Sequence, residues 1–165
     1  MKKLFSGLIA IILAIMFNAF RSPFSTVTFT LVTDPVFPNV ISNPANWTSG
    51  GTTFTLCDVS PEDLGCFIKL QSTSMWKFYH INASGERQLN DIFYAMANTS
   101  SDARYLQITE AFVNPRYKIA EIVAKKLIPN NNNPGEYIVV TDNNVSIVKS
   151  QNLASNDVAY HNARH

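Results

Sequence analysis

The sequence is poor in charge and in cysteine. Charged residues make up 15% of its 165 residues, with 13 basic and 12 acidic side chains. Three of the 13 basic residues (Lys2, Lys3 and Arg21) lie at the amino end, before Ser22, which leaves ten basic against twelve acidic residues in the remainder. This balance gives no electrostatic reason to expect a nucleic acid or an anionic membrane as a partner. The 11 phenylalanines argue against a disordered chain, which would contain few aromatic residues.

Recognisable catalytic motifs are also absent. The sequence has no Gly-x-Ser-x-Gly, no glycine-rich phosphate loop and no His-Glu-x-x-His. His80 would need an orienting carboxylate and a nucleophile close by to act as a general base, so a partly buried structural histidine is the simpler interpretation. His161 and His165 are four residues apart but have no third ligand. We therefore predict no catalytic, cofactor-binding or metal-binding residues, and no cofactor.

The amino-terminal segment, residues 1–22, predicts export. Met1-Lys2-Lys3 is a short basic start, and an apolar run from residue 4 to residue 20 follows it. Its 17 residues would form a helix of about 25 Å, the lower limit for crossing a bilayer core. The segment therefore predicts either a cleaved signal peptide or an uncleaved single-span anchor. Residues 4–20 would contact the membrane only if the leader is not cleaved, and the rest of the chain would be periplasmic, on the cell surface or secreted.

The two cysteines, Cys57 and Cys66, predict a structural disulfide, because an even number of cysteines in an exported chain favours pairing. Strand-like alternation precedes Cys57 and follows Cys66, and an eight-residue loop between them can bring two strand ends together. Two free thiols are the main alternative. A metal site would need about four ligands, and a redox pair is normally separated by two residues.

Alternating apolar residues predict strands in several parts of the chain. Residues 24–32 place Val27, Phe29 and Leu31 on one face, and residues 75–82 and 104–109 are also strand-like. Residues 137–140 and 145–148 flank Thr141-Asp142-Asn143-Asn144. This last arrangement predicts a hairpin, because Asn and Asp tolerate the positive φ of tight turns.

Helical spacing predicts two short helices. The first lies within residues 87–98, where Leu89, Ile92 and Met96 recur on one face. The second lies over residues 115–128, with Asn114 as the N-cap and Pro115 in the first turn. Its outer face is basic and is interpreted as an ordinary solvated face (Arg116, Lys118, Lys125 and Lys126).

Together these patterns predict an α+β fold. It consists of a small antiparallel sheet of hairpins with two short helices, preceded by an N-terminal apolar leader helix. Residues 23–150 form a single domain in this interpretation. Residues 151–165 have little apolar periodicity and are predicted to be a flexible tail.

Exposed aromatic residues could form a glycan-stacking surface, although core packing is the simpler interpretation. The weak candidates for a surface site are His80, Trp47 and Trp76; Phe78 and Tyr79 are close to them in sequence. Four Asn-x-Ser/Thr triplets would matter only if the source glycosylates them. They begin at Asn46, Asn82, Asn98 and Asn144.

The opening MKKLF, the apolar run, the Asn46-Trp47-Thr48 stretch and the paired cysteines resemble small exported bacterial proteins of an uncharacterised family. The resemblance begins at Met1 and ends near Leu70. It implies export from a bacterial cell and no particular activity.

The sequence therefore favours a non-catalytic binding or structural protein of the cell envelope or extracellular space, with a protein or glycan as partner. One alternative is a small extracytoplasmic hydrolase whose site is assembled from dispersed residues such as His80, Asp91 and Glu110. Another is a secreted effector that acts on neighbouring cells. An enzyme should present a pocket with convergent titratable groups, whereas a binding module should present an exposed apolar patch or a free sheet edge.

Overall fold

The computed structural model describes residues 26–49, 64–71, 75–149 and 156–163, and the described part is mainly β. The leader at residues 1–22 and Cys57 lie outside it, so the predicted export segment and the predicted disulfide stay predictions. The strands are β1 (Val27–Leu31), β2 (Trp47–Ser49), β3 (Leu64–Leu70), β4 (Tyr79–Ile81), β5 (Arg87–Leu89), β6 (Arg104–Val113), β7 (Arg116–Pro129), β8 (Tyr137–Thr141), β9 (Ile147–Lys149) and β10 (Val158–Ala163). In the same residues one α-helix, α1, spans Ile92–Ala97.

The described strands form two sheets. The larger has seven strands in the order β4-β5-β2-β1-β3-β10-β9. Its neighbours pair antiparallel except β9 and β10, which are parallel. The smaller has three antiparallel strands in the order β6-β7-β8.

The core lies between the sheets. Phe29 on β1 and Ile68 on β3 are fully buried, as the alternation along these strands requires. Leu106 on β6 and Ile122 on β7 belong to the same buried cluster and come from the smaller sheet. Helix α1 lies against β6 and β7. This arrangement confirms the predicted strands at Val27–Leu31 and Arg104–Thr109 and the predicted helix around Ile92–Ala97.

The predicted helix over residues 115–128 is wrong, because Arg116–Pro129 form β7. Asn114 and Pro115 are the tight turn between β6 and β7 rather than a helix start. The register shifts at the centre of β7, where Thr109 pairs with Glu121 but Glu110 pairs with Ile119. Ala120 is therefore the extra residue of a β-bulge. The bulge places both Ile119 and Ile122 in the core, and this three-residue spacing resembles a helical repeat.

The predicted hairpin over residues 137–148 is also wrong, although both its strands exist. Strand β8 pairs with β7 in the smaller sheet, and β9 pairs with β10 in the larger one. The chain crosses from one sheet to the other at Asp142, whose N–H donates to the carbonyl of Ala124. Local turn signals at residues 141–144 could not show that the two flanking strands belong to different sheets.

The predicted flexible tail is wrong for Val158–Ala163, because these residues form β10 between β3 and β9. Val158 and Ala159 are fully buried. Asn162 is buried too, and its side chain reaches the smaller sheet. Its Oδ1 accepts from the N–H of Ile119 at 3.0 Å, and its Nδ2 donates to the carbonyl of the same residue at 2.8 Å.

Residues 75–82 contain less strand than predicted. Trp76–Phe78 form a short 3-10 helix, and only Tyr79–Ile81 are extended. Trp76 and Phe78 therefore do not share a strand face. Phe78 is fully buried, whereas Trp76 is half exposed.

Candidate functional site

His80 on β4 is held by Asn90, which follows β5. Asn90 is 1% exposed, and its Nδ2 donates to the carbonyls of Lys77 at 2.7 Å and Arg104 at 2.8 Å. Because both amide protons are used, Asn90 Oδ1 is the atom that faces His80 Nδ1, 2.9 Å away. An amide oxygen can only accept, so we assign a proton to Nδ1. In neutral His80, Nε2 then carries the lone pair.

The ring of Tyr94 on α1 stacks on the imidazole of His80. Their centroids are 3.9 Å apart and their planes differ by 11°. The histidine is thus fixed by one buried amide and one aromatic face. The arrangement orients the ring, but its partner is the amide of Asn90 rather than a carboxylate.

The two carboxylates considered with His80 for a hydrolase have separate contacts. Asp91 caps α1, since its Oδ1 accepts from the N–H of Tyr94 at 2.6 Å. Glu110 on β6 binds a loop through the backbone N–H groups of Asn39, Ile41 and Ser42, at 3.2 Å and 3.3 Å for the last two. The described contacts bring neither carboxylate to His80, so these three residues do not form an acid–base site.

A cleft of about 410 Å³ lies between the start of α1 and β6. Its polar lining includes Ser42, Asp91, Tyr105 and Gln107. Burial raises the pKa of the Tyr105 hydroxyl above its ordinary value, so the phenol is protonated at neutral pH and is not a base. Within the described residues, no hydrogen bond joins the Ser42 hydroxyl to Asp91 or Tyr105. The described lining of the cleft is therefore a concave surface in which no nucleophile is hydrogen-bonded to a base.

A charged cluster joins the smaller sheet to the loops beside it. The Asp142 side chain is fully buried, forms an ion pair with Arg104, and lies 3.6 Å from Lys126 Nζ. Asp102 forms ion pairs with Lys77 and with Arg104, the latter at 3.2 Å. Partial burial alone would raise the pKa of Asp102, but the hydrogen bond from Lys77 and the charge of Arg104 hold it below its ordinary value.

The aromatic residues predicted for a glycan surface are dispersed by the fold. Trp47 is buried, and its Nε1 donates to the carbonyl of Ile41 at 2.8 Å, so this residue belongs to the core. Phe78 is buried as well, and Tyr79 packs against Phe29 with ring centroids 5.9 Å apart. Trp76 is exposed, with Lys77 Nζ 5.9 Å from its ring centroid. A single exposed indole remains from the proposed set.

Metal ligands do not converge in the part of the chain that the structure describes. There, no three His, Cys, Asp or Glu side chains are placed to hold one ion. The described residues therefore supply no metal site around His161.

The position of strand β8 at the edge of a sheet is a feature that the sequence analysis missed, because it predicted the strand only as half of a hairpin. Strand β8 forms one edge of the smaller sheet, and of the described strands only β7 pairs with it. The N–H of Asp142 donates to the Ala124 carbonyl, and the N–H of Asn130 donates to the Glu136 carbonyl. These two bonds show that the even-numbered residues here direct their backbone groups toward β7. Because bonding alternates along an antiparallel pair, the N–H and C=O groups of Tyr137, Val139 and Thr141 point away from β7.

The side chains around this edge are apolar and exposed. Tyr137, Ile138 and Val139 are 45%, 44% and 40% exposed, and Met96 on α1 is 52% exposed. A cleft of about 400 Å³ runs between Met96, Leu127 and Tyr137. We call Met96, Leu127, Tyr137 and Val139 the β8 surface. Leu127 and Val139 are directly paired and therefore share a face of the sheet.

The other long edge is partly covered. On β6, the carbonyl of Arg104 accepts from the buried Asn90 side chain, and Glu110 binds the loop at residues 39–42. The edge strands β4 and β9 of the larger sheet have three residues each. An uncharged edge of five residues that no described strand covers, as at β8, is unusual, since natural sheets protect their edges with charge, proline or covering loops.

Comparison with protein-family models, with curated proteins and with solved structures gives no match. The resemblance of the amino-terminal part of the chain to small exported bacterial proteins therefore stays a prediction. Among the described residues, no helix is long and apolar enough to cross a membrane.

Proposed function

We propose that this chain is an exported, non-catalytic binding protein of the cell envelope or extracellular space, and that it binds a protein partner through the β8 surface. The observation that carries the proposal is the edge at Tyr137–Thr141, which within the described residues pairs only with β7 and is flanked by exposed apolar side chains. A strand added to such an edge gains backbone hydrogen bonds, while apolar neighbours give it side-chain contacts. A protein partner is favoured over a glycan because Trp47 and Phe78 are buried, which leaves Trp76 as the exposed indole of the set, with no stacked ring in the part of the chain that the structure describes.

The hydrolase alternative has less support. His80 is oriented by Asn90, Asp91 caps a helix and Glu110 binds a loop, so each group has a structural role of its own. The 410 Å³ cleft holds Asp91 and Tyr105 but no hydrogen-bonded nucleophile and base among the described residues. These contacts favour binding over catalysis.

Photo-crosslinking tests the binding surface. A photoreactive phenylalanine analogue would replace Tyr137 in the full-length gene, and irradiation would be done on cells that export the protein. Covalent adducts are expected. The matched control places the same analogue at Ile81, another exposed apolar residue on an edge strand (β4), where no adduct is expected. Equal labelling at both positions, or none at residue 137, would contradict the proposal.

Export and cleavage of the leader are tested by a separate experiment. N-terminal sequencing of the exported protein should begin near Phe20 if the leader is cleaved, whereas an intact Met1 in the membrane fraction identifies an anchor. Recovery of the full chain from the cytoplasm would contradict export in both forms.

A further inference from the structure

The outward backbone groups of the β8 edge are evenly spaced about its central residue. Its outward-facing residues are Tyr137, Val139 and Thr141, with Val139 at the midpoint. Two such edges can therefore meet antiparallel about a twofold axis through Val139. In that register Val139 faces Val139 of the second copy, and Tyr137 faces Thr141.

From this geometry we infer that the partner of the β8 surface is a second copy of the same chain, paired antiparallel across β8 about a twofold axis at Val139. The inference rests on the proposed function and specifies its partner. The two three-stranded sheets would join into one continuous sheet across the axis. An interface of this kind is isologous, since each copy contributes the same surface.

Backbone complementarity supports this register. In an antiparallel pair, residues that face each other in the hydrogen-bonded positions exchange two bonds. Three facing pairs across the axis would give about six backbone hydrogen bonds, using every outward N–H and C=O of β8. The facing Tyr137 and Thr141 form an aromatic and β-branched pair, a combination that stabilises neighbouring strands.

Charge complementarity supports it as well. No residue of β8 itself is charged, so the strands meet without repulsion. At each end of the paired region, Glu136 would lie opposite Asp142 of the second copy. Asp142 is buried beside Arg104 and Lys126, and with Lys77 and Asp102 the cluster has three basic and two acidic side chains, so its net charge is positive. The carboxylate of Glu136, whose Oε2 accepts from Asn133 Nδ2 at 2.9 Å within its own chain, would thus lie opposite a cluster of net positive charge.

The other edges fit a second copy less well. Arg87 pairs with Ile81 of β4, Lys149 lies in β9, and both edge strands are shorter than β8. The edge at β6 has its Arg104 carbonyl already bonded to Asn90. Among the described strands, β8 is the edge that combines outward N–H and C=O groups with an uncharged sequence.

Sedimentation of the purified exported protein over a range of concentrations tests the inference. We expect a monomer–dimer equilibrium in the wild type. Val139→Lys and Val139→Glu should each weaken the dimer at least tenfold, because each places two like charges on the axis. An equimolar mixture of the two variants should recover dimers, because Lys then faces Glu. The matched pair Ile81→Lys and Ile81→Glu should sediment as the wild type does.

Circular dichroism would confirm that each variant is folded. Val139→Pro provides a second route, because residue 139 directs its N–H away from β7 and proline is tolerated at such edge positions. It should also dissociate the dimer. A wild type that stays monomeric at high concentration, or a dimer that the charged mixture does not restore, would overturn the inference.

The mass of the crosslinked adduct at residue 137 distinguishes a failure of this inference from a failure of the proposed function. A crosslinked adduct at residue 137 with twice the mass of the chain supports self-pairing. An adduct that contains one copy and a different protein supports a binding function but overturns the second copy as partner. Absence of any adduct at residue 137 contradicts the proposed function itself.

Discussion

The side chain of Asn162 makes two hydrogen bonds to a single residue, Ile119, and so joins the two sheets at the bulge in β7. It acts as a short substitute for a neighbouring strand, because it satisfies both the N–H and the C=O of Ile119. The contact is buried, so neither backbone group could turn to water if the amide were lost.

We therefore expect Asn162→Ala to lower the free energy of unfolding by about 2–4 kcal/mol, since two hydrogen bonds are lost and their buried partners are left unsatisfied. Urea denaturation would measure the change. Asn132→Ala, at an exposed turn residue, is the control and should change stability by less than about 0.5 kcal/mol. Equal effects of the two substitutions would contradict the role given to Asn162.

Glu110 provides a second prediction, because its carboxylate gathers three backbone N–H groups of the loop at residues 39–42. Glu110→Ala should cost about 2–3 kcal/mol, the range for hydrogen bonds to a charged group in a partly buried site. Amide hydrogen exchange should become faster at Ile41 and Ser42. Glu110→Gln keeps one acceptor oxygen and should show a smaller effect on both measurements; unchanged exchange in the alanine variant would refute the anchoring role.

Asp102 gives a prediction about pH. Its pKa in the folded protein is lowered relative to the unfolded chain, where an aspartate titrates near about 3.9. The stabilisation is therefore present above about pH 4 and is lost as the pH falls through the lowered folded value. Because the side chain is 53% exposed, Asp102→Asn should cost less than about 1 kcal/mol at pH 7.

Urea unfolding of wild type and Asp102→Asn at pH 7 and pH 3 would test this. The difference between them should shrink at the lower pH. Glu86→Gln, at an exposed residue in the turn before β5, serves as the control for general charge effects. A difference that grows as the pH falls would have the wrong sign and would rule out the ion pairs as its source.

The predicted pairing of Cys57 and Cys66 can be measured without a structure. Intact mass spectrometry of the exported protein should give a value lower than that of the reduced protein by the mass of two hydrogen atoms. Reduction should then lower stability by about 2–3 kcal/mol, the chain-entropy value for a short ring. Cys57→Ser with Cys66→Ser should remove the response to reductant; identical masses before and after reduction would exclude the disulfide.

The elements that sequence reasoning predicted correctly are those with a regular local pattern. Strand β1 alternates strictly from Val27 to Leu31, and its apolar face is the buried one. Helix α1 has an Asp91 cap and the expected spacing. Strand β7 was mispredicted because Ala120 is inserted at a bulge, and that insertion depends on pairing with β6. A bulge that arises from pairing with another strand cannot be predicted from the local spacing of apolar residues.

The candidate site could be predicted from the sequence only in part. Residues 137–140 were predicted as a strand, but the position of that strand at an edge depends on where β9 pairs. The absence of Lys and Pro from this strand was the available signal, because natural edge strands normally carry such residues as protection against pairing. The contact between His80 and Asn90 could not be found either, since it joins residues brought together by the pairing of β4 with β5.

The position of β10 determines the order in which the larger sheet can be completed. Strand β10 follows all other described strands in the sequence, yet it lies between β3 and β9 in space. The pairing of β1 with β2 and β3 does not require β10, but among the described strands β9 pairs in this sheet only with β10, which begins at residue 158. Such pairing between distant segments makes folding slow. A chain shortened before residue 158 would therefore keep every described pairing of the smaller sheet but would lose the strand that joins β3 to β9.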